Sequence, residues 1–124
     1  MNKLLLCLAG ALLLASTAMA GEKKLMHCFA FTAVEGATQA DWDAFYKATD
    51  ELPNKIKGIS HVWYGKLRRP LKVGGATRQY GVCMEMANEQ TLKDYDSDPA
   101  HAAWVGVYSK VRVEGTTTFD ILGQ

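Results

Sequence analysis

Two stretches of this chain alternate as β-strands yet leave neither face polar, and a sheet that is apolar on both sides has to be covered twice. In Leu25 to Val34, His27, Phe29 and Phe31 share one face while Cys28, Ala30 and Thr32 share the other. In Ile59 to Leu67, His61 and Trp63 oppose Val62 and Tyr64. A third strand, Thr77 to Met86, gathers Tyr80, Val82, Met84 and Met86 on its more apolar side, and a fourth lies near Thr116 to Leu122. Between the first two, Thr38 and Asp41 form a capping box, and Trp42, Phe45, Thr49 and Leu52 recur at helical spacing up to Pro53, which ends the segment. Asn88 caps a helix carrying Leu92 and Tyr95. Asp98 and Pro99 restart it, and it then runs to about Lys110. Pro70, Gly74 and Gly75 mark a loop of about ten residues.

The resulting order, β-α-β-β-α-β, is that of an α+β ferredoxin-like sandwich. Two helices cover one face of a four-stranded sheet. The uncovered apolar face calls for another cover, most simply a second copy, giving a two-fold homodimer through the sheet face.

The first 20 residues read as an export signal: Lys3, an unbroken apolar run from Leu4 to Leu14, then small residues ending at Ala18-Met19-Ala20. Cleavage after Ala20 would leave one domain, residues 21 to 124, in the periplasm or secreted. The apolar run falls short of the roughly 20 residues that span a bilayer, so no membrane anchor is expected. Cys7 lies within the run and not behind it, which argues against a lipid attachment.

Loss of Lys3 takes 14 basic residues to 13, equal to the 13 acidic ones. A neutral domain has no broad field to draw nucleic acid or an anionic membrane. The basic stretch Lys66 to Lys72 reads as a solvated loop. Cys28 and Cys83 remain after cleavage. They read as two small buried hydrophobes, with a single disulfide between adjacent strands as the alternative.

Lys24 to Phe31 and the segment Leu92 to His101, whose core is a Tyr-x5-His ending in Pro99-Ala100-His101, resemble the stress-responsive A/B barrel domain. That resemblance covers nearly the whole domain and implies a dimeric α/β barrel. Its members include proteins of unknown activity, stress-associated plant proteins and a plant polyketide cyclase. In the cyclase, a Tyr and a His of this segment serve as acid and base in an aldol-type ring closure. By position those roles fall on Tyr95 and His101, with His27 matching a further pocket histidine. Tyr80 and Asp98 stand where the cyclase pattern has histidines.

From the residues themselves, the break at Pro99 can aim Tyr95 and His101 into one cavity. A helix N-terminus disfavours an imidazolium, although Asp96 and Asp98 pull the other way. The tyrosine can donate to a carbonyl or enolate oxygen. The competing account makes His101 a local packing residue, Tyr95 a core aromatic and His27 a satisfied interior histidine. Asp94, Asp96 and Asp98 lack the Gly and Glu of an EF-hand and read as a solvated acidic corner. His27, His61 and His101 have no metal-ligand spacing, so neither a metal nor another cofactor is expected.

Three functions therefore compete. A non-catalytic exported homodimer with a protective or small-ligand-binding role, its ligand apolar or aromatic, needs only the fold. A lyase or cyclase would use Tyr95, His101 and His27 on a small carbonyl compound. A monooxygenase-like role rests on fold analogy alone. Acyl thioesters and nicotinamides are chiefly intracellular, so export favours the first.

Overall fold

The computed structural model describes residues 22–124. The segment read as an export signal, residues 1–20, lies outside the described residues. The elements run β1 (Leu25–Phe31), α1 (Gln39–Lys55), β2 (Ile59–Val73), β3 (Ala76–Met86), α2 (Glu89–Ser97), α3 (Pro99–Tyr108) and β4 (Thr117–Leu122). The strands form one antiparallel sheet in the order β2-β3-β1-β4, the ferredoxin-like α+β arrangement. No helix among the described residues is long and apolar enough to cross a membrane.

The local signals act as their chemistry requires. Thr38 and Asp41 close both halves of the capping box that starts α1. Asn88 and Asp98 cap α2 and α3 through their side chains, and Pro99 occupies the first position of α3. Gly58, at φ +95°, turns the chain from α1 into β2. A Cβ there would lie 2.4 Å from the Thr91 hydroxyl, so a side chain would push α2 off its seat.

All three helices lie on one side of the sheet. Phe29, Phe31, Val82, Met84 and Met86 of the inner sheet face pack against Phe45 and Leu52 of α1 and Trp104 and Tyr108 of α3. The one fully buried polar side chain here is satisfied: Thr49 donates to the Phe45 carbonyl at 2.7 Å and accepts from the Trp104 indole at 3.0 Å.

Three expectations change. Pro53 does not end α1, which continues to Lys55 and closes with the Ile56 amide on the Leu52 carbonyl at 2.9 Å. A proline so near the C-terminus removes only its own bond to the Thr49 carbonyl, and the helix ends before more is lost. The stretch Lys66 to Lys72 is not a loop but the distal part of β2, which pairs with β3 up to Val73 and Ala76 across a turn at Gly74-Gly75. Leu67 to Pro70 sit opposite Gln79 alone, between the Lys66–Tyr80 and Leu71–Arg78 pairs. This irregularity is where a strand tolerates a proline. Finally, Cys28 and Cys83 face each other in register on β1 and β3, with Cα atoms 4.1 Å apart, and are disulfide-bonded. The reading as two separate hydrophobes fails because register places them on the same face of adjacent strands.

The outer sheet face carries no helix. Trp63, Phe119 and Ile121 stand there 68%, 49% and 55% exposed, and Trp63 and Phe119 with the disulfide flank a trough of about 540 Å³.

Candidate functional site

Alternation along β1 turns His27 and Phe29 toward the helices. Pairing with β4 sets Asp120 opposite His27 and Thr118 opposite Phe29. The His27 Nδ1 lies 2.5 Å from the Asp120 carboxylate, which fixes the ring and leaves its other nitrogen free to face the cavity. Facing this pair is the junction of α2 and α3. The Asp98 amide donates to the Tyr95 carbonyl at 3.2 Å and the Asp98 side chain accepts from the Ala100 amide at 2.8 Å. This turn puts Tyr95, in the last turn of α2, beside His101, in the first turn of α3.

The Tyr95 and His101 rings are 4.1 Å apart between centroids, and Tyr95 meets His27 edge-on at 5.8 Å. All three line one cavity of about 410 Å³, whose apolar wall is Phe29, Trp104 and Tyr108. The larger trough on the outer face contains none of the three.

Burial pushes the Tyr95 hydroxyl well above the ordinary phenol value, and the nearby Asp96 carboxylate adds to the effect. Tyr95 therefore remains a phenol, able to donate a hydrogen bond but not to act as a base. Burial also holds the His101 imidazole below its ordinary value, against the pull of the Asp96 backbone and of the Asp96 and Asp98 charges. Near neutrality His101 is an uncharged ring that can accept a proton.

Other residues singled out from the sequence lie elsewhere. His61 stands on the outer face, edge-on to Trp63, away from His27 and His101, so the three histidines do not converge. No group of three or more potential metal ligands occurs among the described residues. Tyr80 packs against Trp42 and Phe31 and is not part of the cavity wall. The acidic corner is divided: Asp94 accepts from Gln90, Asp98 caps α3, and Asp96 lines the cavity.

The family model for the stress responsive A/B barrel domain matches residues 25–122, from the first residue of β1 to the last of β4. The chain belongs to that family. Among solved structures it is similar to a stress responsive A/B barrel family protein of ferredoxin-like fold from Mesorhizobium loti, 19% identical, with a TM-score of 0.64 over 83% of this chain and 99% of that one. A dimeric ferredoxin-like protein of unknown function from Thermobifida fusca is 15% identical, with a TM-score of 0.63 over 82% of this chain and 92% of that one. A hydroxynitrile lyase from Passiflora edulis is 9% identical, with a TM-score of 0.67 over 82% and 94% of the two chains. At such identities these likenesses describe the fold. Among curated proteins none matches the chain.

Sequence reasoning found three cavity residues of this A/B barrel domain and missed Asp120 and Arg112. Asp120 had a signal: Thr118 and Asp120 are the polar alternates of β4, opposite in face to Phe119 and Ile121. Its meeting with His27, 93 residues away, depends on register alone.

Proposed function

We propose that the cavity moves a proton on a small carbonyl compound, a lyase- or cyclase-like activity. The observation that carries this reading is that the oriented His27–Asp120 pair and the Tyr95–His101 pair meet at one cavity. His101, uncharged and half-buried, would take a proton from carbon next to the carbonyl. As that C–H bond breaks, its electron pair moves onto the carbonyl oxygen, where the Tyr95 phenol donates a hydrogen bond to the developing charge. Return of the proton from His101 completes the cycle with no net redox change. His27, held by Asp120, is placed to serve the same oxygen or a leaving group.

The test is exchange of the methylene protons of phenylacetone in deuterated buffer, followed by proton NMR. Protein-dependent loss of that signal is expected. Binding of the ketone without exchange above the buffer rate would sink the enzyme reading and favour the second one, a non-catalytic small-ligand-binding role. That reading draws on the apolar Phe29, Trp104 and Tyr108 wall, which suits retention of an aromatic molecule.

The same proposal includes a homodimer joined through the outer sheet face, supported by exposed Trp63, Phe119 and Ile121. The similar protein from Thermobifida fusca is described as dimeric. Sedimentation equilibrium should give a dimer for the native protein and a monomer for Trp63→Glu combined with Phe119→Glu. A native monomer would rule the assembly out. Export is proposed from the first 20 residues, and a disulfide accords with an oxidising compartment. Fractionated host cells should then yield a mature chain beginning at Gly21 outside the cytoplasm. Full-length protein in the cytosolic fraction would count against it.

A further inference from the structure

The cavity has two chemically different ends. At one, Asp120 and Asp96 accompany His27 and His101. At the other, Tyr108, Thr116 and Arg112 close the wall. Tyr108 lies seven positions beyond His101 on α3, so the ends are roughly 10 Å apart at about 1.5 Å per residue.

Arg112 is held but not neutralised. Its guanidinium lies over the Tyr108 ring at 4.6 Å, and its buried Nε has no hydrogen-bond partner. No ion pair among the described residues involves it. Glu114, close by in sequence, borders a separate depression beside Arg112 and Ser109 without pairing. Arg78 adds positive charge to this end, its Nε donating to Thr117 at 3.3 Å and its Nη1 to Thr32 at 3.1 Å. Burial holds the Tyr108 hydroxyl above the ordinary phenol value, opposed by its hydrogen bond with Thr116 and by the charges of Arg112 and Arg78. Arg112 borders the cavity with its charge unpaired, and the group that best matches such a guanidinium is planar, anionic and offers two oxygens.

We propose that the ligand of this cavity carries a carboxylate, which Arg112 receives while the rest of the molecule extends along Phe29 and Trp104 toward Tyr95 and His101. Arg112 would then set specificity and orientation. Reversed binding would put the anion against Asp120 and Asp96, so the charge pattern selects one direction. The inference rests on the cavity's being a small-molecule site, as read above, but not on turnover there.

Titration calorimetry of the purified protein with 4-phenylbutanoate and with its neutral isostere 4-phenylbutanamide separates the possibilities. The carboxylate is expected to bind at least about ten-fold more tightly than the amide, as a charge-assisted contact predicts. In Arg112→Gln that ratio should fall to about one, and in Arg112→Lys part of it should return. Equal affinities in the native protein, a comparison that needs no variant, would overturn the carboxylate assignment and leave the cavity as a binding site. Retention of the preference by folded Arg112→Gln would overturn the role of Arg112. Failure of both probes to bind would overturn the small-molecule reading along with it.

Discussion

Replacing His101 with Gln should lower protein-dependent proton exchange by about 10²- to 10⁴-fold, the range that one positioned general base supplies, while the circular dichroism spectrum stays native. The fold has little to lose, because the α2–α3 junction is held by Asp98 and Pro99 and not by the imidazole. The native pH profile separates chemistry from packing. Burial lowers the His101 pKa, so the ring stays uncharged below the pH at which a free imidazole is half protonated. The rate should be level from pH 8 down past 6.5 and decline only as pH falls through the lowered value. The raised Tyr95 pKa predicts no matching alkaline loss before pH 10. Stability follows the same sign: the unfolded chain binds the extra proton first, so any contribution from an uncharged His101 is complete above the ordinary histidine value and lost toward acid. A variant that exchanges at the native rate, or a native rate that halves near pH 6.5 or above, would remove His101 from the role of base.

Reduction of the Cys28–Cys83 disulfide should cost about 4 kcal/mol, the chain-entropy value for a bond closing a loop of 55 residues. For a domain of this size that is a fall in Tm on the order of 20 °C. Cys28→Ala combined with Cys83→Ala should show the same loss without reductant, less whatever the two small side chains recover in packing. The bond joins β1 to β3, the two inner strands of the order β2-β3-β1-β4, so it braces the middle of the sheet and not an edge. Thermal unfolding with and without reductant, alongside thiol counting, decides the matter. Two titratable thiols together with an unchanged Tm would show that the bond contributes nothing.

How much of this could be read beforehand depended on whether a feature is local. Capping by Thr38, Asn88 and Asp98 and the alternation of β1 and β3 are set by neighbouring residues, and the structure reproduces them. The distal arm of β2 was misread because Lys66, Arg68, Arg69 and Pro70 have loop-like composition, whereas the tight turn at Gly74-Gly75 brings Val73 and Ala76 into register and carries pairing down both strands. The disulfide stayed open between two readings because face alternation alone does not fix which residues become partners. Tyr95 and His101 could be placed together since only five residues, one of them a proline, separate them. Asp120 and Arg112 could not, since their neighbours are supplied by distant strands and by the end of α3.

Strand β4 exposes Phe119 and Ile121 on one side of the sheet and presents Asp120 from the other. A slip of one residue would exchange those sides, replacing the carboxylate beside His27 with a hydrocarbon and leaving an acid on the outer surface. In the proposed dimer the alignment that orients the histidine is thus guarded from behind, by apolar side chains that line no part of the cavity. A surface proposed for association would also keep the His27–Asp120 pair in step.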